Sequence, residues 1–516
     1  MPSALHNFKE STPAQTSART PTLLEADYSV LERRRELTQT SGSHTNLLFA
    51  PLSPYEKGYF TGVEGGRINQ QVMRQVYALI ARGDQAEALT DICAMNNMPA
   101  AGKKDCRELL RSLPANLPES RIQYFQHREY DYFEELKKQY KFYITGESFG
   151  AYTLNSQADT AEHRLALKKS GPSVAFIVDG IHSLGVGNPE DEFLHAGQKP
   201  QDVSMGRLKS RIRQLKGEET LEDLELKTWS HPPFLFRLAS RFGNGLFGHA
   251  RSFPQAAQIV LDQRRYLDKG VIKGSGYEIV AELLGLDEAL RPTGSKRILI
   301  DMLHLSASAR NDLYEKIFRT HNKNVDPSHP IPVVFTNAAY SGVDYLAEMI
   351  KNSRDGVERD DFRVNGFYGG SINLTDEDVL AVFRSNGMIG ITLEERRMGH
   401  EPKGFGKLFS GSPRARALRL LSRQVAGMVS VPFAYHAEEP LNIWNCLAIG
   451  HGLSGEGTLF GPYTSTLNAQ VLAEDLEEVF TKLKKLEPFW FGAHQPAALA
   501  RKVCYENVMV FVAQNG

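Results

Sequence analysis

Three short segments place a carboxylate, an imidazole or an amide where an apolar run gives way to a turn. They are Val178-Asp179-Gly180-Ile181-His182, Ile300-Asp301-Met302-Leu303-His304 and Val334-Phe335-Thr336-Asn337-Ala338. Side chains of these types, converging from separate strands, can do two kinds of chemistry. They can hold a cation, because carboxylates and neutral imidazoles are usual zinc donors. They can also move or orient protons around a bound carbonyl. Arg241, His249 and His451 are the further positions that could grip a substrate, and Glu394-Glu395-Arg396-Arg397 adds a charged tetrad after another apolar run. Each has a plainer reading. His304 can be a core histidine at a rim, Asp179 a hydrogen-bonded carboxylate paired with Arg241, and the tetrad a salt-bridged edge.

The apolar runs are what must position these groups. Val174–Val178, Arg297–Asp301, Pro332–Thr336, Met388–Thr392 and Cys446–Gly450 are short, rich in β-branched or aromatic residues, and alternate with helical stretches. That alternation predicts parallel βα units. The predicted fold class is α/β, a (β/α)8 TIM-type barrel with an N-terminal α-rich region and loop insertions; such a barrel carries its chemistry at the C-terminal strand ends. Residues 1–25 read as a flexible tail, because low hydrophobicity with scattered Pro and Ser does not offset ordering entropy. Residues 26–516 read as a single elaborated barrel domain, with an α-rich region over 66–145 and insertions near 187–224 and 399–430. Thr375 followed by Asp378 predicts a capped helix start.

Whole-chain properties exclude several classes. The 516 residues carry 60 Lys+Arg against 61 Asp+Glu, a formal net charge of −1, so there is no global attraction to nucleic acid or to an anionic membrane. The segment Lys403–Arg423 is locally basic and reads as a basic amphipathic helix or as a solvated face over the barrel mouth. No apolar run approaches the roughly 20 residues that span a bilayer. The four cysteines form no C-x-x-C pair, and the N-terminus lacks the order of a signal peptide, so a cytoplasmic location is expected. No phosphate-cradling P-loop order is present in the sequence, and Ser252, Ser306 and Ser454 are not set in a G-x-S-x-G serine-hydrolase elbow, which disfavours a serine hydrolase built on them.

Taken in order, the three junctions resemble the membrane (renal) dipeptidase family of metallopeptidases, amidohydrolase-like barrels. The likeness extends to a large bacterial branch through Pro232-Pro233-Phe234, Phe247-Gly248-His249-Ala250-Arg251-Ser252 and Leu393-Glu394-Glu395-Arg396-Arg397. It covers residues from Leu47 onward, best from Val174 to Arg397. The resemblance implies two zinc ions bridged by a carboxylate, holding a water for attack on a dipeptide carbonyl.

Carried over residue by residue, much of that set is altered. The His-x-Asp pair of the first strand has no match: His44-Thr45-Asn46 precedes an apolar run instead of following one, and His6 follows almost nothing. The bridging Glu corresponds to Asp179, one methylene shorter. The metal-binding His of Asp-x-x-His is retained as His304, and the second metal His corresponds to Asn337. The substrate-gripping His corresponds to Ser240 or Arg241, and the Asp-Phe-Asp-like segment reads His451-Gly452-Leu453. Two readings follow. In the first, the binuclear site is degraded, dipeptidase activity is slight or absent, and the mouth binds a small anionic or carboxylate-bearing ligand with help from Arg241, Arg396 or Arg397, or serves as a protein-binding surface. In the second, Asp179, His304 and His451 ligate a single metal ion, and Asn337 and Arg241 hold a carboxylate or polarised carbonyl. The residues thus predict either no zinc or one weakly held ion. Pairing of copies through outer helices is expected by analogy alone.

Overall fold

The computed structural model describes residues 133–134, 136–137, 140–141, 144, 153–154, 173–174, 177–184, 204–223, 226–239, 244–252, 266–272, 274–355, 362–399, 413–450 and 469–515. The predicted tail, nearly all of the predicted α-rich region, His6 and His44 lie outside the described residues, as do Ser240, Arg241, His451 and Gly452.

Ten strands are described. A two-stranded parallel pair joins β1 (Thr153–Leu154) to β2 (Ser173–Val174). The main sheet has six parallel strands: β3 (Ile177–Asp179), β4 (Leu235–Arg237), β5 (Leu299–Asp301), β6 (Val334–Ala338), β9 (Met388–Thr392) and β10 (Leu447–Gly450). Between β6 and β9 lies a hairpin of β7 (Arg363–Val364) and β8 (Phe367–Tyr368). Its two-residue turn is Asn365-Gly366, with φ of 50° and 85°, the positive values that a twist-matched hairpin turn demands.

Strand order in the sheet is β10-β9-β6-β5-β4-β3, so each strand lies beside its neighbour in the chain and the order never reverses. Doubly wound sheets reverse; this one does not. With right-handed crossovers, an unreversed order puts every connecting helix on one face, and the other face is shielded when the sheet curls upon itself as in a (β/α)8 barrel. Burial agrees with that account. Leu299, Ile300 and Asp301 of β5 are all buried, as is every residue of β9 and β10, so both faces of these strands are covered.

Helices form where apolar residues recur at three- and four-residue spacing between caps. In α1 (Met205–Leu215), Leu208, Ile212 and Leu215 are buried and the Ser204 hydroxyl accepts the Arg207 N–H at 3.2 Å. Helix α2 (Ser275–Leu284) buries Ile279, Val280, Leu283 and Leu284 and ends at Gly285, whose φ of 67° suits a left-handed C-cap. Helix α3 (Ala307–Leu313) starts on the Ser306 hydroxyl, followed by α4 (Leu346–Arg354). Helix α5 (Asp376–Arg384) opens with the expected capping box between Thr375 and Asp378. Helix α6 (Glu395–Met398) is one turn, and α7 (Pro413–Ala434) buries Ala417, Leu420, Leu421, Val425, Met428 and Val429. A buried ion pair between Arg310 of α3 and Asp378 of α5, at 3.2 Å, ties two outer helices together, and Asp378 also accepts the Tyr314 hydroxyl at 2.7 Å. Among the described residues, no helix is long and apolar enough to cross a membrane.

Candidate functional site

The parallel register lines up charged residues at the C-terminal ends of three adjacent strands. Asp179 of β3 pairs with Arg237 of β4, and Arg237 pairs with Asp301 of β5. The side chain of Asp179 lies outside the described residues; those of Arg237 and Asp301 are described and they meet. Arg237 Nε donates to Asp301 Oδ2 at 2.9 Å, and Arg237 Nη2 donates to the Thr336 hydroxyl at 3.0 Å. Thr336 in turn donates through its hydroxyl to Asp301 Oδ2 at 2.6 Å and through its backbone N–H to Asp301 Oδ1 at 3.1 Å. The Leu303 N–H completes the set on Oδ1 at 3.0 Å. Asp301 is fully buried, and each of its oxygens accepts two hydrogen bonds, which fills the acceptor capacity of an ionised carboxylate.

Thr336 reaches Asp301 from a kinked strand. Phe335 of β6 pairs with Ile389, but Ala338 pairs with Ile391, so Thr336 and Asn337 together face the single residue Gly390. This is a β-bulge, a device that re-aims side chains at strand ends. It is accommodated by two glycines: a methyl group at Gly390 would stand 2.1 Å from the Thr336 carbonyl oxygen, and one at Gly450 would stand 2.5 Å from the same atom. The bulge leaves Asn337 with its Oδ1 buried and without a hydrogen-bond partner.

The loop after β5 brings His304 to the same end. His304 has φ of 66°, left-handed backbone that His tolerates better than most non-glycine residues. Its carbonyl accepts the Ala250 N–H at 2.7 Å, and the neighbouring residues His249 and Leu305 form a β-bridge. His249 is wholly buried, with Nδ1 3.2 Å from the Ala250 carbonyl oxygen. Asp268 lies near it; burial raises its carboxyl above the usual range, against the opposing pull of Ser353, His249 and Arg251.

Past β9, the charged tetrad forms the salt-bridged rim that the sequence suggests. Arg396 pairs with Glu394 at 3.1 Å and Glu395 with Arg416 of α7. Arg397 is buried, donates to the Ile372 carbonyl at 3.2 Å, and is pulled down to about 10 by burial, an effect that Glu394 opposes. The basic stretch that continues into α7 is likewise engaged: Arg414 pairs with Asp475 at 2.6 Å and Arg423 donates to the Gly366 carbonyl at 2.9 Å.

The structure thus brings His304, Asn337 and the Arg396-Arg397 rim to the strand ends, while Arg241 and His451 lie outside the described residues. Sequence reasoning missed Arg237 and Thr336. The available signal was a charged residue inside the apolar run Phe234-Leu235-Phe236-Arg237-Leu238-Ala239. As a metal site the described residues fit poorly. Asp301 has no lone pair to spare, and the Asn337 carboxamide is a weak zinc ligand.

No family model matches the chain, and no curated protein matches it. Solved structures do. A dipeptidase described as a metallopeptidase of family M19 is 13% identical with a TM-score of 0.40, over 77% of this chain and 79% of that one. A metallopeptidase from Rhodobacter sphaeroides, liganded with a phosphinate mimic of the dipeptide L-Ala-D-Ala, is 14% identical with a TM-score of 0.38, over 72% of this chain and 71% of that one. An amidohydrolase from Pseudomonas aeruginosa is 13% identical with a TM-score of 0.39, over 74% of this chain and 85% of that one.

Proposed function

We propose that this protein, built on a scaffold resembling the membrane dipeptidases, binds a small carboxylate-bearing ligand at its strand ends and does not assemble the binuclear zinc centre of that family. One observation carries the reading. The Asp301 carboxylate is committed to Arg237, Thr336 and two backbone N–H groups, so a cation could approach it only by displacing a guanidinium already neutralising it. Two zinc ions a few ångströms apart also need several anionic ligands to offset their repulsion. Here one carboxylate is spent and the second metal His corresponds to Asn337. A guanidinium in that place favours carboxylate oxygens, which it can meet with parallel hydrogen bonds.

The test is direct. Metal content is measured on protein purified in the presence of zinc, together with hydrolysis of a dipeptide panel. The expected result is at most one weakly held ion and no appreciable turnover. Two tightly bound zinc ions with rapid hydrolysis would refute the reading, and one tightly bound ion with turnover would favour a rebuilt mononuclear site. A cytoplasmic location is a separate part of the proposal, supported by free, buried thiols at Cys446 and Cys504.

A further inference from the structure

We propose that Arg396 is the anchor for the ligand's carboxylate; this rests on the metal-free reading of the strand-end site and names the group that makes the contact. The guanidinium of Arg396 is held on two sides. Its Nε donates to Glu394 Oε1 at 3.1 Å, its Nη2 lies 3.1 Å from the same oxygen, and Nη2 also donates to the Ser252 carbonyl at 2.5 Å. The remaining nitrogen, Nη1, is buried and has no hydrogen-bond partner. A buried cationic N–H without an acceptor is a standing penalty that an anionic oxygen removes.

The surroundings place this donor at the mouth and limit what can fill it. Ser252 lies two residues beyond Ala250, whose N–H holds the His304 carbonyl, so Arg396 and the His304 loop brace the same short segment. Arg397, next in the chain, is buried and feels both Arg396 and Arg237, so positive charge gathers on this side of the strand ends. Glu394 sits against the guanidinium from the other side. One buried, unpartnered donor beside a resident carboxylate suits one oxygen of a monoanion. A phosphate dianion would face stronger repulsion from Glu394.

The experiment uses the full chain with acetate and inorganic phosphate as probes, each compared with chloride at equal ionic strength and pH 7.5, reading the melting temperature across a concentration series. Acetate should raise it saturably, phosphate should not, and Arg396→Gln should weaken the apparent acetate affinity by about tenfold or more. Arg396→Lys keeps the charge and loses the fork; it should also weaken acetate, and it serves as the test should the glutamine variant fail to fold. Equal acetate protection of wild type and both variants, or protection by phosphate as strong as by acetate, would overturn the anchor while leaving the metal-free reading intact. Two zinc ions in the same preparation would instead overturn the reading on which the anchor rests.

Discussion

Replacing Arg237 by Met should be among the most damaging single changes at the strand ends, although methionine is close to arginine in volume. The change removes the Nε bond to Asp301 at 2.9 Å and the Nη2 bond to Thr336 at 3.0 Å, and leaves a fully buried carboxylate without its cation. A hydrogen bond between charged groups contributes about 1.5–3 kcal/mol and a neutral acceptor about 1 kcal/mol. Truncating one partner of a buried pair costs about 3–5 kcal/mol. Because the Arg237 side chain keeps 13% exposure, the lower end applies, and the expected loss is about 3 kcal/mol. Urea denaturation followed by emission of Trp229 and Trp444, both buried, reads it. Adding Asp301→Asn should recover much of the loss, because a neutral amide in that place no longer needs a counter-charge; the double-mutant cycle should return a coupling of about 2 kcal/mol. An Arg237→Met loss under about 1 kcal/mol, or a coupling near zero, would mean that the pair does not organise the site.

Three other outcomes follow from the same structure. Burial pushes the Asp376 carboxyl up to about 6, despite the hydrogen bond from Tyr340 that pulls it down. A raised carboxyl contributes stability that is full below its ordinary value of 3.8 and is lost as pH rises through about 6. Asp376→Asn should therefore stabilise the protein at pH 7.5 by about 1–2 kcal/mol, after allowance for solvent screening, and be neutral near pH 4; destabilisation at pH 7.5 would contradict the sign. Thr375→Ala removes the N-cap of α5, whose hydroxyl accepts the Asp378 N–H at 3.2 Å, and should lower stability by about 1 kcal/mol in thermal melts; no change would deny the cap any role. Gly390→Ala would drive a methyl group to 2.1 Å from the Thr336 carbonyl oxygen, so a loss of about 3 kcal/mol or insoluble expression is expected, and a well-behaved variant would place the bulge elsewhere.

Where a feature is local in the chain, the sequence is informative. The Thr375–Asp378 box is closed by two residues three apart, and it forms as their types predict. Met388–Thr392 is read to the residue, and Val334–Ala338 and Leu299–Asp301 each fall within two residues of the expected runs. Val174–Val178 is read as one strand but divides, with Ser173–Val174 pairing to β1 and Ile177–Asp179 joining the main sheet. Hydrophobic pattern does not register such a change of partner. Strand β4 escapes the pattern altogether: it is three residues long, follows two prolines, and carries Arg237. The central contact of the site escapes for a different reason, because Arg237 and Asp301 are 64 residues apart and only the register of β4 against β5 brings them together.

That register also sets how charge is arranged at the strand ends. Parallel strands of one order set Asp179 and Asp301 on either side of Arg237. In the family that the junctions resemble, cations would offset the carboxylates gathered at this end. Here a cation is covalently part of β4, and it also engages Thr336, the residue before Asn337. A guanidinium differs from zinc in what it can do next. It stabilises oxyanions and orients carboxylates, but it offers no bound water whose proton is acidic near neutral pH, and water activation is what the metal supplies to hydrolysis. A strand end organised around Arg237 can therefore orient a carboxylate, the role that the proposed function gives it.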